Sequence, residues 1–356
     1  MAIIVSAAGT PSLERATSEF DRGTSKREFR LAALAATVAA PAGLAARSAV
    51  QAAAKPLWRF TVKAGITTKT TQHYRGFAAA NQLVIDQLWR INRLFNRPDV
   101  FNGRLKFEVT RSYYFSGDPG SELQTAHPEG DYLVVYDGFP PSGGGWHAEV
   151  MGIHHYWGVG DSGGTFGSAA THGLAHEFGH ARGAVDLYKL RVDGALNPIN
   201  GVPFRPARSI MNEAYGVDVW DDHSVNLINK TADQVALPST YLTEEFPARL
   251  ELQVTDRAGR LKHDAEVKLY PIEWGSAAVT AAPLLTGRTD AAGIYALPRN
   301  PFGPGSSKEF GIEYPNFLVT ATSGSATGYI WLPMYEVQNF AFANGRASTY
   351  RTAIAV

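Results

Sequence analysis

The chain contains no cysteine among its 356 residues. This absence excludes disulfide bonds, metal sites built on thiolates, a catalytic thiol and a lipid-modified N-terminal cysteine. Neither sign of charge predominates, because 33 basic residues balance 33 acidic ones, so nothing points to nucleic acid or an anionic membrane as a partner. The 45% hydrophobic and 19% charged residues are typical of a globular protein, and the length favours two domains.

The first 54 residues have the pattern of an export signal. Residues 24–30 are basic overall and precede an uncharged, alanine-rich run from Leu31 to Ala46, after which small residues suited to cleavage follow. The segment resembles a twin-arginine signal with Lys26 at the first arginine position. We therefore expect residues 1–54 to be removed and the protein to be secreted or periplasmic. The alternative is a membrane anchor, but about 16 mostly alanine residues are short for a span of roughly 20, so no stable membrane insertion is expected.

The patterning of residues 55–240 predicts a mixed α/β (α+β) domain. Alternating or wholly apolar segments predict strands at 58–62, 104–111, 131–136 and 148–157. Apolar residues at helical spacing predict helices over 76–96 and 217–236, and a glycine-rich stretch leads into a helix expected over 168–182 that carries His176 and His180. The proline-containing stretch between the last two helices is expected to be a loop.

The sequence changes character after a linker at 241–248. From 249 to 356 it shows short alternating segments, glycine turns and no helical pattern, which predicts an all-β sandwich. The segments Val254-Thr255-Asp256, Ala265-Glu266-Val267, Thr286 to Asp290 and Gly293-Ile294-Tyr295 resemble those of the carboxypeptidase-regulatory or transthyretin-like sandwich found in secreted enzymes.

The run His176-Glu177-Phe178-Gly179-His180 carries the most chemical information. Two histidines four residues apart share a face of a helix, so their imidazoles can bind one zinc ion. Glu177, beside the first histidine, is placed to deprotonate a zinc-bound water. Two histidines need a third partner, and Gly183 can turn the chain so that Asp186 reaches the same ion.

The extended motif His-Glu-x-x-His-x-x-Gly-x-x-Asp resembles that of the metzincin metalloendopeptidases, with the aspartate of the snapalysin-type branch. Ser209-Ile210-Met211-Asn212 resembles the Met-turn of that family, with Met211 beneath the metal. The resemblance implies a single catalytic zinc held by His176, His180 and Asp186, and a protein or peptide substrate.

The resemblance also assigns roles to other residues. It implies that Glu177 is the general base, and that Tyr215 can donate a hydrogen bond to the developing oxyanion. The segment from Ala148 to Trp157 is expected to be the edge strand on which the substrate lies extended.

Several alternatives remain open at this stage. Asn212-Glu213 resembles the gluzincin motif, in which Glu213 would replace Asp186 as third ligand of a metallopeptidase or amidase. His172, one turn before His176, is either a further ligand or part of the helix surface. A calcium ion near Asp218, Asp221 and Asp222 is conceivable, although such acids more often cap helices. A non-catalytic secreted binding protein with structural zinc is the competing class, against which Glu177 argues. The sequence does not indicate an oligomeric state.

Overall fold

A five-stranded mixed sheet forms the N-terminal part of the chain. The structure is a computed structural model that describes residues 57–97, 100–101, 103–126, 129–140, 142–237, 241–303 and 311–356. The strands are β1 (Trp58–Thr67), β2 (Leu105–Phe115), β3 (Tyr132–Asp137), β4 (Gly143–His147) and β5 (Gly152–Tyr156), in the order β2-β1-β3-β5-β4. All pairs are parallel except β4 with β5. The predicted export signal lies outside the described residues.

Helices cover both faces of this sheet, so its central strands are buried on both sides. They are α1 (Thr68–His73), α2 (Phe77–Phe95), α3 (Pro119–Thr125), α4 (Ser168–Ala181) and α5 (Asp222–Lys230). In β3, Val134 and its alternate neighbours join the main core, whereas Leu133 and Val135 pack with Leu123 of α3 on the opposite face. The ring of Phe107 in β2 lies 4.4 Å from that of Phe178 in α4, which fixes α4 against the sheet.

The predicted edge strand at 148–157 is wrong in position. Residues 148–150 form a 3₁₀ turn, and Gly152–Tyr156 is the inner strand β5, paired on both sides. The edge is β4, whose three consecutive glycines suggest a loop because glycine has a low strand propensity. Packing beside α4 and pairing with β5 hold this segment extended despite that propensity.

The helix predicted over 217–236 is shorter than expected. Helix α5 begins after Asp221, whose carboxylate accepts a hydrogen bond from the Ser224 amide at 2.9 Å and so caps the helix. The residues before Asp221 are not helical. Val219 among them is bonded to the segment around Met211, since its carbonyl accepts a hydrogen bond from the Ile210 amide at 2.8 Å.

Two further sheets make up most of the C-terminal part. The first is antiparallel, with β7 (Glu266–Ile272), β8 (Leu285–Arg288), β10 (Asn316–Ser323) and β11 (Ala326–Pro333) in the order β11-β10-β7-β8. The second contains β6 (Arg249–Thr255), β9 (Ile294–Ala296) and β12 (Thr349–Ala355) in the order β12-β6-β9. Strands β12 and β6 are parallel, whereas β6 and β9 are antiparallel.

The expectation that residues 249–356 contain no helix is wrong. Helix α6 (Met334–Asn344) follows β11 and buries Met334, Val337, Gln338 and Ala341, a helical spacing. Its aromatic residues obscure that spacing in the sequence. Gln338 Oε1 lies 2.7 Å from His223 Nε2 of α5, and Gln338 Nε2 donates to the Leu242 carbonyl at 2.7 Å.

Residues 57–356 form one compact unit by their contacts. One cluster of buried hydrophobic residues continues across the predicted linker, with Tyr241, Leu242 and Phe246 among its members. The structure is therefore mixed α/β with several sheets, while the division into two domains at 241–248 stays a prediction. None of the helices in the described ranges is long and apolar enough to cross a membrane.

Candidate metal centre

Two histidines on one face of α4 turn their Nε2 atoms toward each other. His176 and His180 occupy successive turns of the helix, and their Nε2 atoms are 3.1 Å apart. His176 Nδ1 lies 2.9 Å from the Ile210 carbonyl oxygen, and His180 Nδ1 lies 2.9 Å from that of Ala184. Because a carbonyl can only accept, each Nδ1 carries a proton, so the Nε2 atom of each ring offers a lone pair to a metal ion once it has lost its own proton.

Asp186 joins these histidines because the chain turns sharply at the end of α4. Gly183 has a φ of +90°, a left-handed conformation that glycine adopts at little steric cost. The amides of Gly183 and Ala184 each donate to a carbonyl of the last turn at 2.9 Å, which is the Schellman ending of a helix. Asp186 Oδ1 consequently lies 3.1 Å from His176 Nε2 and 2.9 Å from His180 Nε2.

The three facing atoms have the chemistry of a site for a divalent metal ion. They are two imidazole nitrogens and one carboxylate oxygen on largely buried side chains, all within 4.8 Å of one another. Three lone pairs that face each other repel unless a cation lies between them. Tetrahedral ligands at about 2.0–2.2 Å from an ion lie about 3.3–3.5 Å apart, close to the observed 2.9–3.1 Å. These residues can therefore hold a metal ion.

The electrostatics of this group also favour a positive charge between the ligands. Burial lowers the pKa of His180, but the Asp186 carboxylate outweighs burial and raises the pKa to about 9. Burial raises the pKa of Asp186, but attraction to His180 and hydrogen bonds from both histidines hold it well below its usual range. In the metal-free protein a proton thus supplies the charge that a metal ion would bring.

The segment Ser209–Asn212 packs against the metal-binding helix. Its Ile210 carbonyl orients His176, and its Met211 carbonyl accepts a hydrogen bond from the Leu187 amide at 3.0 Å. The Met211 side chain is fully buried, and a Cβ added to Gly179 would lie 2.6 Å from its sulfur atom. Glycine at position 179 therefore allows the methionine to lie directly against the helix.

Two residues beside the three facing side chains were not predicted from the sequence as part of the site. Lys189 Nζ lies 3.1 Å from Asp186 Oδ2, the oxygen that faces away from the histidines. The Tyr188 ring stacks on His176 with centroids 6.2 Å apart. The spacing of Lys189 three residues after Asp186 is a signal that could have suggested the ion pair. No such spacing could have predicted that the carbonyls of Ile210 and Ala184 bond to the histidines, because every residue has a carbonyl.

Glu177 lies on the side of α4 that faces the edge strand β4. Its side chain is half-buried, and a Cβ added to Gly144 would lie 3.4 Å from its Cγ and 3.7 Å from its Oε1. Its carboxylate contributes to the raised pKa of His180 and, after burial, to that of Tyr215. The acid next to the first histidine is therefore close both to the ligands and to a phenol.

Tyr215 lies over α4 at the level of Gly173, one turn before Glu177. Its side chain is 57% exposed, and its ring meets Trp157 edge-on with centroids 5.4 Å apart. A Cβ at Gly173 would lie 3.2 Å from Tyr215 Cε1. The phenol therefore lies on the solvent side of the helix that carries the ligands.

The structure keeps the other candidate ligands apart from this group. Glu213 is exposed and is not among the three facing residues. His172 Nδ1 accepts a hydrogen bond from the Gly216 amide at 3.1 Å. Of the acids considered for calcium, Asp221 caps α5 and accepts the Ser209 hydroxyl at 2.6 Å, Asp222 begins α5, and Asp218 pairs with Arg97 at 3.3 Å.

Comparison with known proteins does not assign the chain to a family. No protein-family model matches the sequence, and no curated protein matches it either.

Proposed function

We propose that this protein is a secreted zinc-dependent endopeptidase of the metzincin type. The observation that carries the proposal is the convergence of His176, His180 and Asp186 on one point, with Glu177 one residue from the first ligand. A purely structural site has no need of an acid beside an open metal position. The Met211 segment, packed against the same helix, adds a second feature that the family resemblance implies.

The roles of the residues follow from their positions. A bound zinc ion would supply a Lewis acid that polarises a peptide carbonyl and acidifies water. Glu177, beside the ligands and half-buried, would take the proton from the attacking water and return it to the leaving amine. Tyr215 would donate its phenolic proton in a hydrogen bond to the oxyanion. The raised pKa of Tyr215 keeps that proton in place at neutral pH.

The substrate would lie along β4 rather than along the segment from Ala148 to Trp157. No other described strand pairs with the outer edge of β4, so its main-chain groups can pair with an extended peptide. Gly144 faces Glu177 across the groove between β4 and α4, and a Cβ there would lie 2.9 Å from the His154 carbonyl oxygen and in contact with the Glu177 side chain. The glycines of β4 thus leave room for a peptide beside the general base.

The finer features of the fold belong to the same proposal. Parallel strands with α2 precede the metal helix, and the Met211 segment and α5 follow it, an order that the metzincin resemblance implies. The two C-terminal sheets would form the transthyretin-like sandwich, with α6 as an addition. The gluzincin alternative is less well supported, because Glu213 is exposed and separate from the histidines.

The substitution Glu177→Gln tests the catalytic role. We expect the variant to keep its metal, because Glu177 is not a ligand, and to lose hydrolysis of an unstructured protein such as casein about a hundred- to ten-thousandfold. Metal content and hydrolysis rate are measured on the same preparation, with Glu213→Gln as the matched control that retains activity. A metal-loaded parent without hydrolysis, or an active Glu177→Gln variant, would contradict the proposal.

A further inference from the structure

A cavity of about 430 Å³ lies next to the metal-binding helix. It is bounded by the second half of α2 and by the first turns of α4. All but Leu94 of its lining residues are polar: Arg90, Arg93, Arg97, Ser168, Thr171, His172 and Asp218. The three arginines follow one another at helical spacing, so they present their guanidinium groups to the same side.

The arginines of this cavity differ in their partners. Arg90 donates to the Phe166 carbonyl at 2.7 Å, but its buried Nε has no hydrogen-bond acceptor in the described structure. Arg93 is exposed and lies 5.0 Å over the Trp89 ring, with no carboxylate partner among the described residues. Arg97 lies 3.3 Å from the Asp218 carboxylate. Within the described part of the chain, two of the three cations therefore have no ion-pair partner.

The cavity consequently carries a positive charge at neutral pH. Three guanidinium groups face one carboxylate, and burial lowers the pKa of His172, which leaves that ring neutral. Guanidinium groups bind carboxylates through two parallel hydrogen bonds, and a cavity concentrates their field. The chemistry of the lining thus suits a single anionic group of small size.

The cavity shares His172 with the face of α4 that carries the candidate metal ligands, whereas its Thr171 is turned toward Gln87 of α2. His172, His176 and His180 follow at intervals of four residues, so the cavity begins one helical turn, about 6 Å, before the first ligand. The Gly216 amide bonds to His172, and the neighbouring Tyr215 lies over Gly173. A peptide whose scissile bond lies at the metal would extend one of its side chains toward this cavity.

We propose that the cavity is a subsite that selects peptides with an aspartate or glutamate side chain near the scissile bond. This inference rests on the proposed peptidase function. The side-chain carboxylate would reach Arg93 and Arg90, whose charges no carboxylate of the described residues offsets. The protein would then be an endopeptidase for acidic sequences rather than a general one.

The test compares matched peptides that differ only in charge. End-blocked peptides carry Asp or Asn, or Glu or Gln, in turn at each position flanking the cleaved bond, and kcat/KM is measured for each pair. We expect the acidic member to be cleaved at least about tenfold faster at one position, a preference that high salt weakens. Arg93→Gln should reduce this ratio to about one, and Arg59→Gln, an exposed arginine outside the cavity, should leave it unchanged.

The outcomes separate the subsite from the peptidase activity. Equal cleavage of both members by the parent, or an unchanged ratio in Arg93→Gln, overturns the subsite. A preference only for peptides with a free C-terminus overturns it too, because the carboxylate would then be terminal.

If the metal-loaded parent cleaves nothing, the peptidase proposal fails. Fluorescence anisotropy of the same peptides on Glu177→Gln still decides the subsite, since tighter binding of the acidic member supports it and equal binding refutes it.

Discussion

Main-chain carbonyls, rather than carboxylate side chains, orient both histidines of the candidate metal centre. Ile210 and Ala184 each accept the Nδ1 proton of one ring, so side-chain changes at these two positions leave the hydrogen bonds in place. Lys189 neutralises the outer oxygen of Asp186 and leaves the inner one for the metal. The orientation of the ligands therefore depends on the path of the backbone at the end of α4 and in the Met211 segment.

The substitution Tyr215→Phe tests the residue that the proposal assigns to the oxyanion. The ring would keep its contact with Trp157 and lose only the hydroxyl. We expect kcat to fall about a hundredfold with little change in KM, because the hydrogen bond would form mainly in the transition state. Steady-state kinetics on a peptide substrate measure this, with Tyr329→Phe, a similarly exposed tyrosine of β11, as the control. An unchanged kcat would remove Tyr215 from the mechanism.

The ligand residues could be predicted from the sequence, but their surroundings could not. Helical spacing places His176 beside His180, and glycine at position 183 implies the turn that brings Asp186 back. These are local constraints that a few residues encode. The Ile210 carbonyl, 34 residues from His176, reaches the site through tertiary packing, which leaves no comparable pattern.

At the scale of elements, tertiary contacts override local preference twice. Strand β4 contains Gly143, Gly144 and Gly145, which favour a loop, yet pairing with β5 keeps them extended. Helix α6 lies among strands, and Gln338 joins it to His223 of α5. Sequence patterns predicted the long helices α2 and α4 within a residue of their ends, α2 from its regular apolar spacing and α4 from its two histidines four residues apart. Sequence patterns failed for β4 and α6, whose conformations depend on contacts with residues elsewhere in the chain.

The turn after α4 can be tested with a pair of glycine substitutions. Gly183→Ala places a Cβ at a φ of +90° and 3.1 Å from Thr231 Cγ2. We expect a loss of about 1–2 kcal/mol in the free energy of unfolding and a metal affinity at least about tenfold weaker, because Asp186 would shift. Gly259→Ala, at a φ of +78° in open space, should lose similar stability and keep its metal affinity.

Urea unfolding and metal titration measure these two quantities. Unchanged metal affinity in Gly183→Ala would mean that the turn does not position Asp186.

For the whole molecule, the candidate metal centre connects parts of the chain that are far apart in sequence. Its ligands come from α4 and the turn after it, and the Met211 segment that supports them is held by Asp221, the cap of α5. Helix α5 in turn contacts α6 through His223 and Gln338. Because one buried cluster spans these elements, metal binding should stabilise residues 57–356 as a unit.

The pH dependence of stability tests this connection in the metal-free protein. The pKa of His180 is raised to about 9 in the folded chain, against about 6.5 unfolded. Its contribution is therefore fully present below pH 6.5 and is lost as the pH rises through 9, by up to about 3 kcal/mol. With saturating metal the Nε2 lone pair is occupied, so this loss should disappear, and stability should instead fall on acidification as protons compete for the ligands.

Urea unfolding between pH 6.5 and 9, with chelator or with metal, measures the difference. His180→Gln is the matched variant, in which the loss of stability between pH 6.5 and 9 should be absent. A metal-free parent whose pH profile matches that of His180→Gln would contradict the assigned ionisation.

Metal content measured by mass spectrometry tests the central claim most directly. The parent protein is compared with Asp186→Ala and Glu213→Ala after dialysis against trace zinc. Our account predicts one zinc ion per chain in the parent and in Glu213→Ala, and little or none in Asp186→Ala, because Asp186 supplies the third ligand. Zinc lost only in Glu213→Ala would replace the ligand set, and a parent that binds no metal would contradict the proposed hydrolase altogether.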